Sequence, residues 1–536
     1  MQGGIHAIEI VLLLLLLFVA AFAALARKLK TPYPILLVIA GLALGLVPGI
    51  PKFALNPNVI FFIVLPLLLY SAAWLTSWRE FRSNLITILF LAFGLVGFTV
   101  FGVSETARWV FHGFDVRLGF VLGAVVATTD TIAATSIAER LGLPKRIVDI
   151  LEGESLVNDA TGLLALEFAT AMLVQGETPS AAFGALRLAY VTAAGIGVGL
   201  VIGWLVHWFE PRIDDGPIEI TISILVPCAG YLAAEAIHAS GVLAVVACGL
   251  YLSRRSTDLF SPTVRIQAYA VWNALTFILN GLVFVLIGLQ LPQVLAGIQG
   301  YQFRTLLLYG ALFSLLVIVL RLAWVFPGAY LPYLIRRRLF GREESAPPAR
   351  QVFVIGWTGM RGVIALAAAI SLPVTLASDK AFPQRNLIIF LTFSVILVTL
   401  VLQGLTLPAL IRFLGLGGAG GPMHEEKEAR RIMLKAALKR IGEARAADPE
   451  GLSDVCDDLE QHYRHRLATL AEDPDKGGDS QQFYTRFRDL SLDILQVERE
   501  TVIRLRNQGR IGDTAMRRLE RELDLNTARL RARAGD

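Results

Sequence analysis

Thirteen stretches of this 536-residue chain are apolar for long enough to approach the roughly 20 residues a helix needs to cross a hydrocarbon layer. They lie at 7–26, 33–50, 58–76, 85–106, 117–139, 147–174, 184–207, 217–237, 240–253, 266–291, 305–334, 351–373 and 386–414. The ninth is short. In lipid, every backbone polar group must be satisfied within the protein, and a long apolar run does so as a helix. The expectation is an all-α polytopic membrane protein with about thirteen transmembrane helices. Ile8 to Ala26 resembles a signal peptide, but no basic segment precedes it and Arg27, Lys28 and Lys30 follow. It therefore reads as a retained span.

Charge divides the chain a second time. Residues 1–423 carry 27 Lys/Arg and 21 Asp/Glu, about 11% of positions; residues 424–536 carry 22 and 23, about 40%. The expected organisation is a transmembrane body at 1–414, a Gly-rich hinge at 415–423 and a cytosolic helical domain at 424–536. Amphipathic helices are expected at 424–447, 451–472, 482–508 and 512–533. In the third, Phe483, Phe487, Leu490, Ile494, Leu495 and Val502 recur at helical spacing. Alternate loops of the body hold 17 basic residues against 7 in the other set, which puts the N-terminus outside and the tail in the cytoplasm. Membrane topology accounts for this excess, so nucleic acid is not expected as a partner. Cys228, Cys248 and Cys456 are far apart and suggest neither a disulfide framework nor a zinc site.

Ionisable residues inside spans are costly and mark function by default. The fifth span contains Thr128-Thr129-Asp130-Thr131 in mid-run. Either the helix is interrupted there, freeing carbonyl oxygens for a cation, or it is intact and Asp130 faces a polar groove. The sixth span opens with Glu152-Gly153-Glu154-Ser155-Leu156-Val157-Asn158-Asp159. At 100° per residue, Glu152, Ser155 and Asp159 share one face, while Glu154 and Asn158 form another, with Glu154 about 140° from Asp159. Glu154 and Asp159 are thus not expected to serve one ion together. In the twelfth span, Gly359-Met360-Arg361-Gly362 places a guanidinium in lipid, where it needs a partner or must snorkel to an interface. Glu154 is the preferred partner. Arg321 in the eleventh span and Glu235 in the eighth are further candidates without a local motif.

These motifs resemble the NhaP-like branch of the monovalent cation:proton antiporters, through Thr129-Asp130, Leu143 to Arg146, the string Leu151 to Ala160, Leu279 to Leu289, and Gly359 to Gly362. The resemblance implies two inverted six-helix repeats, with the fifth and twelfth spans as crossed, partly unwound helices, and a homodimer. It implies that Asp159 is the ion- and proton-binding carboxylate, with Thr129 and Ser155 as nearby ligands of the alkali cation. Asp130 would balance exposed helix ends. Glu154 and Arg361 would form a structural ion pair bridged by Asn158, and Asn158 preceding Asp159 resembles the electroneutral branch. One departure is Ser71, which stands in Leu65 to Ala73 where many relatives carry an acidic residue.

The expected activity is exchange of Na+, or Li+ or K+, for protons by competition at Asp159, one for one, in a bacterial inner membrane, serving pH and sodium homeostasis. No cofactor is implied. Hard cations take oxygen ligands of this kind. The alternatives are a cation channel with an acidic pore and, third, an intramembrane enzyme with an Asp130/Asp159 acid–base dyad.

Overall fold

The computed structural model describes the chain apart from residues 1, 30, 48–55, 112–113, 176–180, 214, 256–258, 299–300, 340, 342–344, 376–381, 418–420, 448–452, 469–473 and 533–536. Two compact units result, residues 1–419 and 420–536. In the first, the described residues of each of the thirteen apolar runs fall mainly on a helix or on a helix broken in two. The helices are α1 Gln2–Leu29, α2 Tyr33–Gly45, α3 Pro57–Leu75, α4 Trp78–Val110, α5 Val116–Ala127, α6 Ile132–Arg140, α7 Lys145–Gln175 and α8 Ala181–Phe209. Then come α9 Gly216–Ala236, α10 Gly241–Arg254, α11 Pro262–Leu289, the short α12 Leu291–Ala296, α13 Phe303–Leu339, α14 Ala349–Trp357, α15 Val363–Ile370 and α16 Arg385–Phe413. Among the described residues, nine helical stretches are long and apolar enough to cross a bilayer; α2 and α10 are apolar but shorter.

Small residues decide how closely these helices approach, because in lipid packing replaces the hydrophobic drive between helices. A Cβ on Gly123 of α5 would lie 2.7 Å from Val100 of α4, so backbone meets backbone there. Gly41 of α2 and Gly288 of α11 similarly face the carbonyls of Val285 and Val38. The core so formed is largely aliphatic; Val121 and Val125 of α5, Ala365 and Ala368 of α15 and Ile388 of α16 belong to one buried cluster.

The second unit comprises α17 Gly421–Ala447, α18 Ser453–Ala468, α19 Pro474–Asn507 and α20 Asp513–Ala532. Gly421 and Pro422, expected in the hinge, are helical, and Pro is well accommodated in a first turn, where its missing N–H has no intrahelical partner to lose. Residues 418–420 of that stretch lie outside the described residues, as does the side chain of Phe483. Cys456 and Leu434 are buried inside this unit, and Arg445 bridges α17 to Asp457 and Glu460 of α18.

Candidate functional site

The fifth span breaks where its threonines begin. Thr128 leaves α5 with φ −61° and ψ 137°, and the chain re-enters a helix only at Ile132. The twelfth span breaks between Trp357 and Val363, leaving Thr358 to Gly362 irregular. The breaks face each other: the Asp130 N–H donates to the Met360 carbonyl at 2.8 Å.

Four half-helix ends meet here, and side chains answer their partial charges. At the positive ends, Asp130 Oδ1 accepts from the Ile132 N–H at 2.9 Å, capping α6. Its other oxygen lies against Gly362, the residue that opens α15, so close that no Cβ fits. At the negative ends stand two arginines. Arg361 Nε donates to the Val126 carbonyl of α5 at 2.7 Å and its Nη1 to the Gly359 carbonyl at 2.8 Å. Its backbone N–H donates to Thr399 Oγ1 at 3.2 Å. Arg321, projecting from α13, donates to the Gly356 and Ile355 carbonyls of α14 at 3.2 and 3.1 Å.

Arg321 also corrects an expectation. It holds Glu154 in a two-pronged ion pair, Nη1 to Oε1 at 2.5 Å and Nη2 to Oε2 at 3.0 Å, with both side chains buried. Glu154 is therefore paired with Arg321, whereas Arg361 donates through Nε and Nη1 to backbone carbonyls and its Nη2 has no hydrogen-bond partner among the described residues. Nor does Asn158 bridge a pair: its amide atoms have no hydrogen-bond partner among the described residues. The reason lies in the third dimension. Gly359 carries no side chain, and the Arg321 side chain fills the space a Cβ would take. Arg321 thus reaches Glu154 past the Gly-Met-Arg-Gly segment. Its only trace in the sequence is an arginine in mid-span.

On the opposite face of α7, Ser155 and Asp159 line a cavity of about 250 Å³ together with Asp130, Glu152, Ser71 and Asn280. Asp159 is 4% exposed, and its Oδ1 has no hydrogen-bond partner among the described residues. Ser155 Oγ donates to the Thr129 carbonyl at 3.1 Å, tying α7 to the unwound segment. Thr129 itself does not line the cavity; its hydroxyl donates to Glu154 Oε1 at 3.4 Å, on the ion-pair side. Ser71 does line it, with its hydroxyl turned to its own helix at the Leu68 carbonyl, 2.9 Å away. Asn280, quoted in the sequence only as part of a motif, contributes an unpartnered Oδ1. The arrangement gathers the carboxylates of Asp130, Glu152 and Asp159, the hydroxyls of Ser71 and Ser155 and the amide oxygen of Asn280 around a pocket beside two broken helices. Oxygen donors are the ligands that hard cations take, and a carboxylate among them can also accept a proton.

Residues 13–413 match the family model described as "Sodium/hydrogen exchanger, transmembrane". The chain belongs to the sodium/hydrogen exchanger family. An uncharacterized Na+/H+ exchanger of Mycobacterium tuberculosis is 35% identical over 529 residues, spanning 97% of this chain and 96% of the relative. A sodium, potassium, lithium and rubidium/H+ antiporter of Bacillus pumilus is 32% identical over 461 residues, spanning 84% of this chain and 68% of the relative. The fold of this exchanger-family protein is that of the sodium proton antiporter MjNhaP1 from Methanocaldococcus jannaschii, solved at pH 8. The TM-score is 0.60 at 20% identity, over 77% of this chain and 99% of that one. The family and its named relatives are transporters, and this chain is a multi-pass membrane protein of that kind.

Proposed function

We propose that this protein exchanges a monovalent cation for a proton at Asp159. The observation that carries the reading is the unpartnered, nearly buried Asp159 carboxylate beside Ser155 and Asp130, at the meeting of two unwound helices. Ionised Asp159 takes the cation with oxygens from its cavity; protonation removes the charge and releases it. Carrying a bare carboxylate through low dielectric is heavily penalised, so the site reorients only when neutralised by one ion or the other. That rule makes the exchange one for one and electroneutral. Asp130 stays with the helix ends it caps, and Glu154 with Arg321 supports the unwound segments without binding the cation. Asn158 stands between the ion-pair face and the cavity face of α7.

On this reading the two breaks occupy corresponding places in two inverted six-helix repeats, and the protein is a homodimer joined among its spans. It sits in a bacterial plasma membrane with the N-terminus outside and the 424–536 domain in the cytoplasm, serving pH and sodium homeostasis. Na+ is the proposed cation, with Li+ and K+ distinguished by scanning alkali cations.

The test is cation-dependent collapse of an imposed ΔpH in proteoliposomes. Wild-type protein is expected to dissipate the gradient without net current, and Asp159→Asn to be inactive at unchanged melting temperature. Substantial exchange by the folded Asp159→Asn protein sinks the assignment. A voltage-driven current that persists without a proton gradient identifies a channel instead.

A further inference from the structure

A second cavity is separate from the one at Asp159. It has a volume of about 670 Å³ and lies between the ends of α1, α6 and α16, the start of α2 and the side of α11. Its lining is mostly apolar and includes Phe277 and Pro408, with Tyr33 and Ser136 among the polar residues. The charged groups are Arg27, near the end of α1, and Arg412, near the end of α16. Arg412 Nε donates to the Pro408 carbonyl of its own helix at 3.2 Å. Among the described residues, neither guanidinium forms an ion pair with a carboxylate. Two cations at the rim repel a transported cation, so this is a poor entry route for it.

The surfaces beside the cavity are exposed and apolar. Leu25 and Leu29 on α1 are 41% and 57% exposed, and Leu405 and Phe413 on α16 are 51% and 87% exposed. In a protein that spans a bilayer such faces meet acyl chains, and arginines at helix ends stand at headgroup depth. Basic pockets between transmembrane helices are suited to anionic headgroups.

We propose that this cavity is a binding site for an anionic phospholipid, its phosphate held by Arg27 and Arg412 and an acyl chain lying along Phe277 and Pro408. The site goes beyond the exchange reading and does not depend on it. Ser136 belongs to α6, the half-helix that Asp130 caps, whereas Arg27 belongs to α1 and Phe277 to α11. A lipid seated there therefore ties the half-helix behind Asp130 to α1 and α11.

The full-length protein is delipidated in detergent and offered phosphatidylglycerol or phosphatidylcholine of the same acyl chains, with retention read by native mass spectrometry and melting temperature read in parallel. Phosphatidylglycerol is expected to be retained preferentially and to raise the melting temperature. The double variant Arg27→Gln/Arg412→Gln should bind it roughly tenfold to thirtyfold more weakly, at about a fivefold factor or less per surface cation. The Arg27→Lys/Arg412→Lys variant should keep most of the binding. Inorganic phosphate at the same concentration should displace none. Equal retention and equal thermal shift with the two lipids overturn the proposal, whether or not the variants fold. So does unchanged retention in the folded double variant, or displacement by inorganic phosphate, which marks a phosphate site without a lipid requirement.

Discussion

Glu154 and Asp159 sit five residues apart on one helix and meet opposite fates. Glu154 is closed by two prongs of Arg321, while an oxygen of Asp159 is left without a partner. A buried pair broken on one side strands the other charge. Glu154→Gln and Arg321→Gln should each cost about 3–5 kcal/mol, and the double variant much less than their sum. Melting temperatures of the four proteins in detergent check this. The same cycle between Glu154 and Arg361 should show weak coupling, because Arg361 is held by carbonyls; strong coupling there would restore the pairing expected from sequence. A different carboxylate sets a pH dependence. Glu210, in the turn after α8, is 1% exposed, and both its oxygens lack partners among the described residues. Burial first, and the charge of Glu219 second, push its carboxyl up from 4.5 to about 8. The fold thus favours the protonated form. Its contribution to stability is complete below 4.5 and is lost as pH rises through about 8. The melting temperature should fall across that window, and Glu210→Gln should flatten the decline.

At the scale of elements, the site is made by two helices that stop and restart. Each break leaves a negative end and a positive end, and the four are answered by Arg361, Arg321 and Asp130. The glycines of the second break are what let the breaks close on one another. A side chain at Gly362 would occupy the place of the Asp130 carboxylate. Gly362→Ala is therefore expected to cost about 1–3 kcal/mol through overpacking and to lower exchange strongly by displacing Asp130. Gly97 of α4 has nothing near its would-be Cβ. Gly97→Ala is the matched control, and it should leave melting temperature and exchange close to wild type. Equal behaviour of the two variants in ΔpH-driven exchange would refute the claim that the close approach matters.

For the whole molecule, residues 1–419 hold every candidate ligand, and residues 420–536 form a compact unit with its own buried contacts. A chain truncated after Gly421 should therefore still exchange, with a shifted pH profile or apparent cation affinity, because a regulatory domain acts by favouring one transport state. Exchange assayed from pH 6 to 9 at matched insertion tests this; a folded but inactive truncation would make the tail part of the transport machinery. The sequence alone made the spanning helices legible, since a continuous apolar run of about 20 residues in lipid satisfies its backbone as a helix. It also marked Asp130, Ser155 and Asp159, because polar groups in mid-span stand out against an apolar ground, and helical spacing separated Glu154 from Asp159. What it could not determine was the partner of each buried charge. Arg361 sits in a conspicuous glycine-framed motif and Arg321 in a plain apolar run, yet Arg321 reaches Glu154. Pairing depends on which helices lie side by side and at what depth, and on the space left by Gly359. Those are properties of the packed bundle, which local spacing along one helix does not contain.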